Sequence, residues 1–129
     1  LACGCFDMLH VAHLRHLEQA SKMGDRLVVG VTKDAFVGKP GRPIIGEDER
    51  LELVRGLLCV SEALLFQDSL EALRMFEPDV FCKGYDYMKK GLLITEMEYC
   101  LDNEIEIRFT KENSQTTSKI IERIRCASW

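Results

Sequence analysis

The sequence predicts a doubly wound, Rossmann-like α/β domain: a single five-stranded parallel sheet with helices on both faces. Two observations carry this. Strand-like apolar runs alternate five times with helix-period segments over residues 1–129, and no hairpin signal joins one strand directly to the next. The run Leu27-Val28-Val29-Gly30-Val31 is apolar throughout, as a strand covered on both faces should be. Right-handed crossovers then follow from the chirality of the chain.

Leu1 to Cys5 reads as the end of a buried strand bounded by Gly4. Between Val11 and Met23, Leu14, Leu17 and Ala20 recur at helical spacing, and Gly24 is the expected stop. Arg26 to Thr32 is the second strand. Residues 33–46 hold Gly38, Pro40, Gly41, Pro43 and Gly46, which describe a loop, and Lys39 and Arg42 make it basic. Glu47, Asp48 and Glu49 put acid into the first turn of a helix through about Leu58, with Leu51, Val54, Leu57 and Leu58 expected to face inward. Ala63 to Phe66 is a third strand, Ser69 the expected N-cap of a helix to Phe76, and Pro78 its block. Asp79 to Lys83 is the fourth strand, ended by Gly84. Residues 91–102 are helical by period, Glu104 to Phe109 form the fifth strand, and Thr116 to Arg125 the last helix.

This length suits one domain, residues 1–129, with no internal repeat and no linker. A net charge of -4 argues against a general binder of nucleic acid or of anionic membranes, while allowing a local basic pocket. No apolar run approaches the roughly 18 residues that span a bilayer, and no signal segment opens the chain, so a cytoplasmic location is expected. Leu1 is not a methionine and the first strand starts mid-way, so residues upstream are expected. Six cysteines, at 3, 5, 59, 82, 100 and 126, lie in apolar segments without Cys-x-x-Cys spacing and read as buried free thiols. Cys3 and Cys5 should share a strand face, but two ligands do not make a zinc site.

In open parallel sheets, ligands bind beyond the carboxyl ends of the strands. The glycine-marked segments after strands one (4–13), two (38–42), four (83–87) and five (110–118) all lie at that end. Topology should therefore gather His10, His13, Lys39, Asp86 and Thr117 around one crevice. Two imidazoles three residues apart, at a strand-to-helix junction behind Gly4, fall beside backbone N–H groups that have no intrahelical partner. That arrangement suits a phosphate, because a helix start supplies donors and partial positive charge while histidines follow charge developing on a phosphoryl oxygen. The alternative role for the pair is to cap or pack. His16, beyond the first turn, reads as structural. Phosphoryl and nucleotidyl transfer need positioning and cationic donors more than covalent work, and these residues supply them. No Gly-x-x-x-x-Gly-Lys-[Ser/Thr], no Gly-x-Gly-x-x-Gly and no Gly-x-Ser-x-Gly follows a strand, which removes the P-loop, the dinucleotide fingerprint and the hydrolase elbow.

Gly4-Cys5-Phe6-Asp7 followed by His10-Val11-Ala12-His13, Lys39 before Gly41-Arg42-Pro43, Glu49-Arg50, Lys83-Gly84-Tyr85-Asp86-Tyr87 and Thr116-Thr117-Ser118-Lys119-Ile120-Ile121 occur in that order. Together they resemble the cytidylyltransferase-like nucleotidyltransferases of the His-x-Gly-His type, nearest to the heptose-phosphate adenylyltransferases and glycerol-3-phosphate cytidylyltransferases. The resemblance runs over essentially the whole chain. It implies that His10 and His13 stabilise the triphosphate in the transition state, with Gly4, Cys5 and Phe6 in the nucleotide-contacting turn. It implies further that Lys39 neutralises phosphates, with Asp7, Arg42 and Arg50 as substrate or phosphate contacts. Gly84, Asp86, Thr116, Thr117 and Ser118 would then contact the nucleotide. A Mg2+ ion carried by the nucleoside triphosphate, with no metal held by protein ligands alone, and a homodimer are implied too.

Ala12 stands where the family pattern has glycine, and Thr116-Thr117-Ser118 replaces Ser-Thr-Thr while keeping every hydroxyl. Three readings follow. The leading one is an enzyme moving a nucleoside monophosphate, AMP from ATP by the likeness of Lys83-Gly84-Tyr85-Asp86-Tyr87 to Lys-Gly-Gly-Asp-Tyr, onto a sugar phosphate such as heptose 1-phosphate. CTP:glycerol-3-phosphate cytidylyl transfer and adenylyl transfer to FMN are the alternatives within catalysis. The non-enzymatic reading is a nucleotide-binding module without turnover, which the methyl of Ala12 would favour.

Overall fold

In the computed structural model, which describes residues 1–111 and 115–127, five parallel strands form one sheet. The strands are β1 (Ala2–Gly4), β2 (Val28–Thr32), β3 (Glu62–Phe66), β4 (Val80–Lys83) and β5 (Glu106–Phe109), in the order β3-β2-β1-β4-β5. The helices are α1 (Val11–Ser21), α2 (Glu47–Arg55), α3 (Ser69–Phe76), α4 (Asp86–Lys90), α5 (Ile94–Asp102) and α6 (Thr117–Cys126). The doubly wound parallel sheet predicted from the alternation is thus the observed architecture. Its winding reverses between β1 and β4, joined in register at Ala2 and Cys82.

Each face of the sheet has its own core. Leu17 and Ala20 of α1 and Leu51 and Val54 of α2 pack on Val29, Val31, Ala63 and Cys82. On the opposite face Ala72 and Leu73 of α3 and Cys100 of α5 pack on Phe66, Phe81 and Ile105. Alternation along β4 divides its side chains between the two, Phe81 to one face and Cys82 to the other. Gly30 is required where it stands, since a Cβ there would lie 2.9 Å from the Cys3 Sγ and 3.2 Å from the Phe66 ring.

Local chemistry moved several boundaries. Helix α1 ends at Ser21, before Gly24, because the N–H groups of Lys22 and Met23 turn back to the carbonyls of Gln19 and Ala20. Helix α2 stops at Arg55, and Leu58, expected to face inward, lies beyond it and is fully exposed. Asp68 rather than Ser69 caps α3, its carboxylate accepting the Glu71 N–H at 2.8 Å. A 3-10 turn, Asp34–Phe36, interrupts the predicted loop. The helix predicted over 91–102 starts at Ile94, separated by Gly91 at φ +81° from α4, a helix too short for its periodicity to register. All six cysteines are free thiols; Cys126 is exposed rather than buried, and Cys5 lies past the end of β1 beside Arg50 instead of sharing a strand face with Cys3. Among the described residues no helix is long and apolar enough to cross a membrane.

Candidate functional site

A crevice opens at the carboxyl ends of β1 and β4. Its walls include Gly4, Cys5, Phe6, Asp7, His10, Ala12 and His13 from the first turn, and Lys39 and Arg42 from the loop after β2. Gly84 and Asp86 join from the start of α4, and Thr116, Thr117 and Ser118 from the start of α6. Residues 112–114 of the predicted 110–118 segment lie outside the described residues. Among the described residues five cationic side chains, Lys39, Arg42, Lys83, Lys90 and Lys111, line it against two carboxylates, Asp7 and Asp86, so their charge opposes that of the chain. A second hollow at the amino ends of the strands contains one cationic side chain, Arg26, already paired with Glu62.

The first turn is built to aim two imidazoles. Phe6 and Met8 take left-handed conformations, φ +53° and +52°, which swing the chain sharply from β1 into α1. His10 is the N-cap, extended at φ -139°, and its Nδ1 accepts the Ala12 N–H at 3.2 Å. The His13 Nδ1 in return accepts the His10 N–H at 3.3 Å. This reciprocal arrangement resembles a capping box made of histidines. The rings stack at 3.8 Å between centroids, and Phe6 meets His13 edge-on at 5.4 Å. Because each Nδ1 accepts from the backbone, each neutral ring must carry its proton on Nε2. The His10 Nε2 is buried without a hydrogen-bond partner among the described residues. Capping and ligand binding are therefore compatible: one nitrogen of each ring holds the helix, and the other remains a donor.

Burial keeps these rings neutral. It pushes the His13 pKa down to about 4, helped by the neighbouring His10 and His16, and it lowers His10 as well. His16, one turn further along α1, also lines the crevice; its Nδ1 lies 2.8 Å from the Thr110 Oγ1, and burial, then the Lys83 ammonium, bring it to about 4. Its three-residue spacing from His13 is the signal that places it on the same face.

Asp7, Arg42 and Arg50 turn out to hold the walls. Asp7 is 1% exposed and its carboxylate accepts from Arg42 Nε at 2.6 Å and from the N–H groups of Ile44 and Ile45 at 2.9 Å. Burial alone would raise its pKa, but those two N–H groups and the guanidinium outweigh it and hold the carboxyl below its ordinary value. Arg50 is absent from the crevice. It is fully buried, donating to the carbonyls of Ile45 and Cys5 at 2.8 and 2.6 Å and to the Asp34 carboxylate at 2.7 Å. The expected phosphate contact at Arg50 is thus corrected to a cross-brace between α2, the first turn and the 3-10 turn. Its i, i+4 spacing to buried Val54 was the available signal.

Lys39 is exposed at the tip of the loop, between Gly38 at φ +65° and Gly41 at φ +70°, while the root of the loop is pinned to Asp7. On the opposite wall, the Thr116 hydroxyl accepts the Lys119 N–H and caps α6, and the Thr117 hydroxyl donates to the Asp7 carbonyl at 2.7 Å. Thr117 thus spends its proton internally, whereas Thr116 only accepts and keeps its own to donate; Ser118 is exposed. Among the described residues no group of three or more His, Cys, Asp or Glu is placed to hold a metal.

Fold and crevice together define a Rossmann-like domain with the donor set that a phosphate ligand requires. A family profile described as Cytidylyltransferase-like matches residues 1–123, and the chain belongs to that family of nucleotidyltransferases. It is 39% identical over 127 residues to the Bifunctional protein HldE of Ectopseudomonas mendocina (strain ymp), covering 95% of this chain and 27% of that protein. It is 33% identical over 126 residues to the Bifunctional protein HldE of Syntrophotalea carbinolica, covering 94% of this chain and 26% of the relative. The chain thus spans about a quarter of the length of these curated relatives. The crystal structure of the lipopolysaccharide core biosynthesis protein from Thermoplasma volcanium GSS1 superposes with a TM-score of 0.74 at 29% identity, covering 88% of this chain and 95% of that one.

Proposed function

We propose that this chain transfers AMP from ATP to a phosphate oxygen of a sugar phosphate such as heptose 1-phosphate, releasing pyrophosphate. The observation that carries the reading is the histidine pair: two neutral rings, each locked by a backbone amide on Nδ1, offering Nε2–H donors at the start of α1. Donors fixed before the reaction are those that lower the barrier as charge develops on the phosphoryl oxygens and on the departing pyrophosphate. In this reading Lys39 closes on phosphates, Gly4, Cys5 and Phe6 line the nucleotide turn, and Gly84, Asp86 and Ser118 flank the nucleotide. In this reading Mg2+ would arrive on the triphosphate and help neutralise its charge.

A homodimer fits one surface feature. Ile94, Met97 and Leu101, spaced three and four apart on α5, are 72%, 48% and 80% exposed and form an apolar stripe with Leu93. The two HldE relatives favour the adenylyl reading through the resemblance of this chain to the heptose-phosphate enzymes, whereas the family description favours CTP as a second reading. Pyrophosphate release with Mg2+ and either ATP or CTP, assayed against heptose 1-phosphate, other sugar phosphates, glycerol 3-phosphate and FMN, decides among them. Nucleotide binding with no release on any acceptor would leave the module without turnover.

A further inference from the structure

We propose that Lys83 is the anchor for the phosphate of the acceptor, a role that rests on the reading above and adds the acceptor's position to it. Lys83 is the last residue of β4 and shares its face with Phe81, so its side chain rises from the α3–α5 layer of the sheet. There it lines the crevice beside Cys3, Ser69 and Tyr87, across from the histidines of α1.

The residue is 6% exposed, yet the nearest carboxylate oxygen to its ammonium, at 3.6 Å, lies beyond hydrogen-bond distance. Its surroundings are the Glu96 carboxylate, 3.6 Å from Nζ, and two ring faces, Tyr87 at 4.0 Å and Phe81 at 5.1 Å to the centroids. The Glu96 Oε2 is also buried without a hydrogen-bond partner. A buried ion pair repays its desolvation only when hydrogen bonds satisfy the remaining donors and acceptors, and this pair leaves both sides short. The other buried cation, Arg50, spends its donors on protein oxygens, and the nearby Arg42 is held by Asp7. Of the two buried cations, Lys83 is the one that keeps its donors without a hydrogen bond among the described residues, and it does so at the edge of the crevice. A phosphate monoester brings the acceptors that complete it.

Placement supports the acceptor rather than the nucleotide as the source of that phosphate. The Nε2–H donors of α1 lie on the other helical layer, so triphosphate held there and acceptor phosphate held by Lys83 approach from opposite walls, as in-line displacement demands. One acceptor phosphate oxygen bonds to the α-phosphorus, the bond from that phosphorus to the bridging oxygen breaks, and its electron pair leaves with pyrophosphate. No proton need move, because the attacking group is an ionised phosphate.

The test compares Lys83→Met with the double variant Lys83→Met/Glu96→Gln, the second removing the carboxylate that the first would strand. With ATP and the best sugar phosphate of the panel, both variants should raise the acceptor KM at least tenfold and change the ATP KM less than twofold. An unchanged acceptor KM, or a rise confined to ATP, would overturn the assignment. A readout independent of turnover is the 1H–13C resonance of the Lys83 ε-methylene, identified by its loss in the variants and followed during titration with inorganic phosphate. A saturable shift supports the anion site even if no acceptor is turned over, an outcome that would instead remove the proposed reaction; no shift removes the site.

Discussion

The Thr117 hydroxyl donates to the carbonyl oxygen of Asp7 across 110 positions of sequence, at 2.7 Å, in a buried contact. The start of the last helix is thereby fastened to the first turn of the chain. The same Asp7 holds the loop of Lys39 through its carboxylate, so one residue ties together three walls of the crevice.

Asp7→Asn keeps the shape but cannot accept these three donors with a charge, and it leaves the Arg42 guanidinium, 11% exposed in its side chain, without its anion. Breaking a buried pair from one side costs about 3 kcal/mol or more. Chemical denaturation should show a loss of that size, and Thr117→Val a smaller one. A stability equal to the parent for Asp7→Asn would contradict the role.

His10→Ala and His13→Ala should each lower kcat by a factor on the order of a hundred or more, with nucleotide affinity changed less. Loss of the cap costs about 1 kcal/mol of stability, so a thermal melt has to show each variant folded. Retained turnover in both single variants would sink the assignment.

Histidine titration sets a pH dependence. His13 and His16 hold folded pKa values of about 4, below the ordinary value of 6.5, so between those limits the unfolded chain binds more protons than the folded one. Stability must therefore fall as pH is lowered from 6.5 towards 4. His16→Phe should flatten that slope. The imidazole resonances of His13 and His16 in the ligand-free protein should titrate near pH 4, and midpoints near 6.5 would show rings open to solvent.

Lys39→Ala should leave the melting temperature unchanged, because the side chain is exposed, and raise the KM of one phosphorylated ligand. A charge-assisted hydrogen bond is worth about 1.5–3 kcal/mol, or a rise of roughly tenfold to a hundredfold. A ligand-bound structure with Lys39 turned to solvent would be the opposite result.

Base choice is open to calorimetry. Since the triphosphate is common to all nucleotides, discrimination has to come from groups that meet the base edge, and polar groups left unpaired by the wrong base make it large. Titrated with Mg2+, ATP should bind several-fold tighter than CTP. Equal affinity, or a preference for CTP, would move the assignment to the cytidylyl branch.

The alternation of strands and helices was legible because buried parallel strands are apolar on both faces and their crossovers need helices. The order β3-β2-β1-β4-β5 was not, since no local pattern states which strand lies beside β1. The gathering of His10, His13, Lys39, Asp86 and Thr117 around one crevice followed from strand direction alone. What each charge does there depended on contacts between elements. Arg50 and Arg42 read alike as cations near a phosphate site, but one is buried under α2 and the other held by Asp7. Lys83 went unassigned as a ligand contact because the end of a strand gives no hint that its ammonium lacks acceptors. Helix α4, Asp86–Lys90, went unread because little more than one helical turn is too short for a period.

The seam between β1 and β4 also has a kinetic meaning. A chain that has formed β1, β2 and β3 with α1 and α2 has a sheet and most of one core, yet it lacks the side of the crevice that Lys83, α4 and the start of α6 supply. Pairing Ala2 with Cys82 closes a loop of about 80 residues, a late and entropically costly contact compared with the neighbouring pairs on the other side of β1. A ligand that touches both sides of the crevice therefore draws on the β1–β4 pairing, and its binding is coupled to the closing of that seam.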